Sequence, residues 1–205
     1  MNNEIITALI AFAFVSSITP GPNNLMLMAS GTNFGFKHTI PHVLGVVIGF
    51  TVMIVLVGVG LLQLFDAFPL SYLILKVLSV AYLFYLAWKI ATSAPLENDD
   101  TRLESKAKPF TFLQAALFQW VNPKAWAMAL TAISAYMPPF HSMITVVMVA
   151  VIFGAVTLPS TSVWVLIGSQ MRRFLTNPFS LQVFNVCTAL LLIGSLYPIL
   201  FSTKI

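Results

Sequence analysis

Thr19-Pro20-Gly21-Pro22-Asn23-Asn24 is the stretch that decides the fold of this chain. It interrupts an apolar run that begins at Ile5 and otherwise has the composition of a membrane helix. Because proline has no N–H, the carbonyl groups four residues earlier, those of Ser16 and Ile18, lose their helical partners. In hydrocarbon an unpaired backbone group is costly, so a broken helix is tolerated only where it faces protein or water. The break therefore predicts a functional site inside a membrane span.

The composition of the chain predicts a protein that crosses a bilayer several times. Of its 205 residues, 59% are hydrophobic and 8% are charged, and the mean hydropathy is +0.92. A soluble domain carries about 25% charged residues, so this chain cannot present a polar surface to water. The net charge of +4 is not a nucleic-acid signal, because the cations fall in loops between apolar stretches and not on one face.

The spacing of the apolar stretches predicts an all-α fold with six transmembrane helices, each near the roughly 20 residues that a bilayer requires. The predicted spans are Ile5–Ser30, Ile40–Leu64, Ser71–Ile90, Phe112–Met137, Met143–Gly168 and Leu181–Leu200. We interpret residues 1–205 as one transmembrane domain, in which a polar cytoplasmic linker (93–110) separates two three-helix repeats, 1–92 and 111–205. Because three is an odd number, the repeats would have opposite orientations in the membrane.

The positions of lysine and arginine predict the orientation of the chain. Loops after the first, third and fifth spans contain Lys37, Lys89, Arg102, Lys106, Lys108, Arg172 and Arg173. Cytoplasmic loops carry the excess of cations, so we expect these loops in the cytoplasm and both termini outside a bacterial inner membrane. No Lys or Arg precedes the first apolar run, which argues against a cleaved signal peptide.

A second break is predicted in the fourth span, at Asn122-Pro123-Lys124, where Pro123 frees the carbonyl of Gln119. Breaks in corresponding spans of two inverted halves are the best sequence indication of a transporter site. We therefore expect the two breaks to face one cavity if their spans cross. Pro159 predicts a third break in the fifth span, where the hydroxyl groups of the following residues could instead repair the helix locally.

Several motifs occur in order along the chain: Ile18-Thr19-Pro20-Gly21-Pro22-Asn23, Gly35-Phe36, Gly45-x-x-x-Gly49 and Asn122-Pro123-Lys124-Ala125. Together they resemble the lysine-exporter (LysE/RhtB-type) superfamily of amino-acid exporters, and the likeness extends from the first span to the sixth. The branch that exports cysteine and O-acetylserine is the most similar. Many members carry an aspartate directly after the second glycine, where this chain has Phe50, so a role for that carboxylate is not carried over. The glycine pair itself predicts close helix packing.

The candidate substrate-binding residues lie at the breaks. They are Pro20, Gly21, Pro22, Asn23, Asn24, Asn122, Pro123, Lys124 and Ser160. No acid lies deep in a predicted span, so Lys124 would repel a dicationic substrate and attract a carboxylate. We expect Lys124 and the helix N-terminus after Pro22 to bind the carboxylate of a zwitterion, and the freed carbonyl groups to accept hydrogen bonds from its ammonium group. For the asparagines, capping of the broken helix ends is the competing interpretation.

The remaining chemistry-bearing residues predict no cofactor and no metal site. His38 and His42 have a spacing that a metal could use, but no third ligand is near, so we expect an exposed interfacial pair. Lys76 is interpreted as structural, because it can extend to the membrane surface. Cys187 is the only cysteine, which excludes an intramolecular disulfide and a two-thiol redox relay.

The residues and the resemblance together predict a secondary active transporter and not an enzyme. It would export small neutral amino acids or derivatives, such as cysteine, O-acetylserine, threonine or homoserine, by alternating access. The resemblance implies the proton gradient as the energy source. The alternative is a passive channel, or an exporter of another small solute or ion, since broken helices also build filters. The expected partners are the amino acid, protons, the lipid bilayer and, as a candidate assembly, a second copy in a homodimer, but no nucleic acid.

Overall fold

A computed structural model of the protein describes residues 1–61, 63, 67–68, 70–93, 108–137, 142–175 and 177–197. These residues form helices and connecting turns and no strand, which confirms the all-α class. In chain order the helices are α1 (Asn3–Ile18), α2 (Pro22–Phe34), α3 (Phe36–Leu56), α4 (Leu70–Ala91), α5 (Phe112–Phe118), α6 (Pro123–Tyr136), α7 (Met143–Met171) and α8 (Pro178–Gly194). A π-helical turn (Val57–Leu61) follows α3, and a 3-10 turn (Gln119–Val121) follows α5.

Length and composition allow three or four of the described segments to cross a bilayer. Phe36–Leu61, Leu73–Ala91 and Met143–Met171 are long and apolar enough, and α1 with α2 passes the same test as a pair bent by 53°. Phe112–Val121 and Pro178–Gly194 are shorter apolar helices. Six spans in two inverted repeats stay a prediction. Most of the predicted linker 93–110 lies outside the described residues, as do the ends of the second and sixth predicted spans.

The outer surface of α4 is apolar, as a helix in contact with lipid requires. Leu73 is 57% exposed, Val77 is 59% exposed and Trp88 is 70% exposed. Large apolar side chains exposed side by side would be unfavourable in water and are well placed in hydrocarbon. Together with the apolar helices, this surface supports the membrane assignment.

The break predicted in the first span is present between α1 and α2. Asn24 donates hydrogen bonds through Nδ2 to the carbonyl oxygens of Ser17 and Thr19, both at 2.8 Å. Trp164 on α7 donates through Nε1 to the carbonyl oxygen of Ile18 at 3.0 Å. Protein side chains thus satisfy backbone groups at the break, as the interior of a membrane protein requires.

Helix α2 lies at the centre of the fold, and 11 of its 13 residues are buried. It approaches α7 closely at two glycines, one on each helix. A Cβ at Gly31 of α2 would overlap the carbonyl oxygen of Val165, and a Cβ at Gly168 of α7 would overlap that of Met28. Thr32 also donates through Oγ1 to the carbonyl oxygen of Gly168 at 3.0 Å. Small residues at such contacts let helix backbones come together where lipid supplies no hydrophobic driving force.

The glycine pair in α3 has the packing role that the sequence indicates. A Cβ at Gly45 would overlap the carbonyl oxygen of Phe112, and one at Gly49 would lie 2.6 Å from the Cα of Ala116. Both contacts are with α5, so the pair joins the first half of the chain to the start of the second.

The predicted third break is absent. α7 continues from Met143 to Met171 with Pro159 inside it. Ser160 donates through Oγ to the carbonyl oxygen of Val156 at 2.8 Å, and Ser162 donates to that of Leu158 at 2.7 Å. A single proline removes one hydrogen bond, which packed neighbours and nearby hydroxyl groups can compensate, whereas the first break combines two prolines and a glycine.

Candidate functional site

The two breaks meet at one cavity, as expected for spans that cross. Its lining residues are Ser16, Ser17, Gly21, Asn23, Asn24, Val46, Phe50, Gln119, Asn122, Lys124, Ala125, Met128, Thr157 and Thr161. The free interior is about 30 Å³, within about 360 Å³ of empty space that includes open solvent. An interior of that size holds only one or two water molecules. The cavity therefore has many polar lining residues but is too small, as it stands, to hold an amino acid.

Lys124 connects the two breaks. Its ammonium Nζ donates to the carbonyl oxygen of Thr19 at 2.6 Å and lies 3.5 Å from that of Pro20. A Cβ at Gly21 would lie only 2.6 Å from Lys124 Cδ and 3.2 Å from its Nζ. The φ of Gly21 is −174°, which any residue adopts. A side chain at this position would displace the lysine side chain that passes over it, whereas the backbone conformation itself does not require glycine.

A reciprocal pair of amides forms a second connection between the breaks. Asn23 donates through Nδ2 to Gln119 Oε1 at 2.8 Å, and Gln119 donates through Nε2 to Asn23 Oδ1 at 3.1 Å. Gln119 is fully buried and also donates to the carbonyl oxygen of Ala115 at 2.8 Å. Its side chain was not among the predicted site residues. The available signal was its position four residues before Pro123.

The other two asparagines line the cavity and also cap helix ends. Asn122 is the residue before α6, and its Oδ1 accepts a hydrogen bond from the backbone N–H of Lys124 at 3.1 Å. Asn24 closes the end of α1 through the two hydrogen bonds described above. The contacts of both residues are those of the capping interpretation, whereas Asn23 makes its side-chain contacts across the breaks.

Four hydroxyl groups complete the polar lining, and the sequence prediction named none of them as site residues. Ser17 Oγ and Thr157 Oγ1 lie 3.0 Å apart and join α1 to α7. Ser16 donates to the carbonyl oxygen of Phe12 at 2.6 Å, and Thr161 donates to that of Thr157 at 2.7 Å. Each hydroxyl that donates to a carbonyl keeps lone pairs that can accept a hydrogen bond from an ammonium group. Their positions in the sequence could have indicated them. Ser16 and Ser17 lie one turn before the first break, and Thr157 and Thr161 lie on either side of Pro159.

Four predicted residues do not line the cavity: Pro20, Pro22, Pro123 and Ser160. Pro22 is the first residue of α2, and Pro123 is the first residue of α6. At that position the N–H has no helical acceptor, so proline costs no helical hydrogen bond. These prolines shape the backbone around the cavity. Ser160 is buried within α7 and bonds back to its own helix, because the turn of α7 presents Thr157 and Thr161 to the cavity instead.

Two of the carbonyl groups expected to receive an ammonium group already have protein donors. The carbonyl of Ile18 accepts from Trp164, and that of Gln119 accepts from the backbone N–H of Asn122 at 3.3 Å. Each carbonyl oxygen keeps a second lone pair, so their role toward an ammonium group stays a prediction. The chain refills the hydrogen bonds that its prolines remove, and the hydroxyl oxygens of the lining are further candidate acceptors.

The electrostatics of the cavity favour a molecule with one carboxylate. Among the described lining residues Lys124 is the only charged one, and no carboxylate is present. Phe50 is 3% exposed and packs edge to face on Phe153 with ring centroids 5.6 Å apart. This side of the cavity is an apolar wall, so a second positive charge on a substrate would find no counter-ion among the described lining residues.

The two histidines are not the exposed pair that their spacing indicated. His42 has no exposed surface and stacks on Phe110 with ring centroids 5.1 Å apart, and neither ring nitrogen has a hydrogen-bond partner. His38 is exposed, with Nδ1 3.0 Å from the carbonyl oxygen of Phe34. The burial of His42 depends on Phe110, which is remote in sequence. Within the described part of the chain, no three His, Cys, Asp or Glu residues could hold a metal ion.

Comparison with known proteins gives a family and several relatives that match along most of the chain. The profile of the LysE type translocator family matches residues 14–195. Cysteine/O-acetylserine efflux proteins of Escherichia coli (strain K12) and Shigella sonnei (strain Ss046) are each 30% identical over 194 residues, which is 94% of this chain and 96% of theirs. No solved structure gives a significant match.

Proposed function

The chain belongs to the LysE type translocator family, and from that membership we propose that it exports small zwitterionic amino acids from the cytoplasm by alternating access. Family and apolar helices together make it a multi-pass membrane transporter rather than an enzyme. The names of the relatives favour cysteine and O-acetylserine as substrates. Threonine and homoserine belong to the same size and charge class.

The observation that carries this proposal is a lysine, the only charged residue among the described lining, in a cavity between two helix breaks. The substrate carboxylate binds to Lys124 Nζ, which has three donors. No described side chain caps the N-terminus of α2, so its first N–H groups can contribute to binding the same anion. The substrate ammonium group donates to hydroxyl oxygens of the lining, such as those of Ser16 and Thr161.

Substrate binding requires the cavity to widen. Its free interior of about 30 Å³ is far below the several hundred Å³ of a typical small-molecule site. Two connections hold the breaks together, the hydrogen bond from Lys124 to Thr19 and the amide pair of Asn23 and Gln119. A carboxylate competes with the Thr19 carbonyl for the ammonium group and so weakens one connection. Differential binding of this kind is what shifts a transporter between its states.

The membrane arrangement follows the charge distribution of the loops. We place six crossings in two inverted halves, with the lysine- and arginine-rich loops in the cytoplasm and both termini outside. The proton gradient is the proposed energy source. The described cavity lining has no carboxylate, so no residue of the cavity is assigned to proton transfer.

Counterflow into proteoliposomes tests the proposal. Vesicles loaded with one unlabelled amino acid at a time receive labelled cysteine under reducing conditions, with and without a proton gradient. We expect saturable exchange that cysteine and O-acetylserine stimulate and that lysine does not. An imposed proton gradient should then drive net movement, and collapsing it should leave only exchange. Flux that never saturates would instead indicate a channel, and no exchange with any amino acid would refute the proposed function.

A further inference from the structure

A second cavity lies at the other end of α2. Met26, Ala29, Ser30 and Asn33 line it, and their spacing of three and four residues puts them on one face of the helix. Asn23 precedes Met26 by three residues on the same face and lines the first cavity. α2 has 13 residues, and at about 1.5 Å per residue its ends are roughly 18 Å apart. One helix face therefore leads from one cavity to the other.

Two lysines give the second cavity its charge. Lys89 and Lys108 both line it, and Lys89 Nζ lies 4.5 Å from the centroid of the Phe110 ring. Within the described part of the chain, neither ammonium group has a hydrogen-bond or ion-pair partner. Glu4 is the only Asp or Glu described, and it lies at the start of α1.

The neutral polar groups of the second cavity are already paired. Asn33 and Asn185 exchange amide hydrogen bonds of 2.8 and 3.1 Å, and Ser30 Oγ lies 2.9 Å from Thr39 Oγ1. The charge of the cavity is therefore that of its two cations. Lys108 is exposed, whereas Lys89 is half-buried and lies over the Phe110 ring. A cation-π contact only partly offsets the desolvation of an ammonium group, so an anion beside Lys89 would be favourable.

We propose that this second cavity is an anion site that holds the carboxylate of the amino acid on the cytoplasmic side. From there the substrate would move along the α2 face to Lys124. Met26, which lies on this face between Asn23 and Ser30, belongs to the same apolar cluster as Phe118. This inference rests on the proposed function for the identity of its ligand, but the preference of the cavity for an anion can be measured without transport.

The test places a thiol in the wall of the second cavity. All variants carry Cys187→Ser, so that the introduced cysteine is the only thiol. Ser93→Cys places this thiol in the lining of the second cavity. Thr92→Cys is the control, because Thr92 is the adjacent residue, is exposed and lies outside the lining. A sulfonate-bearing and a trimethylammonium-bearing methanethiosulfonate report the local charge through their reaction rates. We expect the sulfonate to be favoured about tenfold more at Ser93→Cys than at Thr92→Cys. Lys89→Gln or Lys108→Gln should each lower that preference about threefold.

Ligand identity is tested by protection of the same thiol. Threonine should slow labelling of Ser93→Cys, and threonine methyl ester, which has no carboxylate, should not. Two arms identify other anions: vesicles of phosphatidylcholine against phosphatidylglycerol, and a variant with its linker acids (Glu97, Asp99, Asp100 and Glu104) made neutral.

The outcomes separate this inference from the proposed function. A preference for the sulfonate that is lost only with phosphatidylglycerol would assign the site to a lipid headgroup. A preference for the sulfonate that appears only in the variant with a neutral linker would show that the linker carboxylates occupy the anion site. Either result, or no preference in any arm, overturns the inference. Preserved preference without export refutes only the exporter, and preserved export without preference refutes only the anion site.

Discussion

Lys124→Ala should remove carboxylate recognition and leave the protein folded. Its ammonium group donates to the Thr19 carbonyl, which also accepts a hydrogen bond from Asn24 Nδ2. Because the oxygen keeps that donor, losing the lysine should cost only about 0.5–1.5 kcal/mol of stability. A hydrogen bond between charged groups contributes about 1.5–3 kcal/mol, and about 1.4 kcal/mol corresponds to a tenfold change in affinity. The Kd of a zwitterionic amino acid should therefore rise about 10- to 100-fold.

The assay compares two ligands on two proteins. Inhibition of counterflow gives the affinities of cysteine and cysteine amide, which has no carboxylate, for the wild type and for Lys124→Ala. The wild type should bind cysteine more tightly than cysteine amide. This preference should disappear in Lys124→Ala, because only cysteine has a carboxylate that loses its partner. Lys37→Ala, at an exposed lysine outside the cavity lining, is the matched control. It should leave both affinities unchanged.

Two results would refute the role of Lys124. If the variant binds cysteine as tightly as the wild type does, Lys124 does not bind the carboxylate. If cysteine and its amide weaken by the same factor, the lysine acts only through the shape of the cavity and its connection to Thr19. Equal amounts of folded protein, measured by size-exclusion chromatography, are required for either conclusion.

Three further substitutions test the geometry of the site and the fold. Gly21→Ala should raise the KM for export about three- to tenfold, because its Cβ would lie 2.6 Å from Lys124 Cδ. The effect should vanish in a Lys124→Ala background. If the effects of the two substitutions on KM instead simply add in free energy, the lysine contact is not the cause. Gly168→Ala should lower the free energy of unfolding by about 1–3 kcal/mol in a thermal unfolding assay in detergent. Gly194→Ala, whose Cβ would have no neighbour within 4 Å, should not be destabilising, and equal losses in both would argue against the close α2–α7 contact. Ser160→Ala should change the Kd for cysteine by less than about twofold, because its hydroxyl bonds within its own helix; a larger loss would show that it reaches the substrate.

The features that the sequence predicted correctly depend on local chemistry. The composition indicated a membrane protein, and Pro20, Gly21 and Pro22 together indicated a break. Two prolines and a glycine remove more of the helical backbone pattern than a single proline, which α7 tolerates at Pro159. The motif at Asn122-Pro123-Lys124 predicted the second break, and α6 begins there at Pro123. The resemblance to the lysine-exporter superfamily rested on these residues, and the family match confirms it.

The features that the sequence missed depend on which helix faces meet. The Ser17–Thr157 contact joins residues 140 positions apart, and Trp164 reaches a carbonyl 146 positions away. The burial of His42 likewise needs Phe110 as its cover. None of these contacts has a local signature.

The physical reason lies in the solvent that surrounds the helices. In water, a buried helix face is apolar and an exposed face is polar, so the periodicity of a sequence shows which side faces the core. Lipid is as apolar as a protein interior, and both faces of these helices are therefore apolar. Proline and glycine chemistry determined where the chain must break, but only the tertiary packing decided which amides, hydroxyls and ammonium groups gather at the gap.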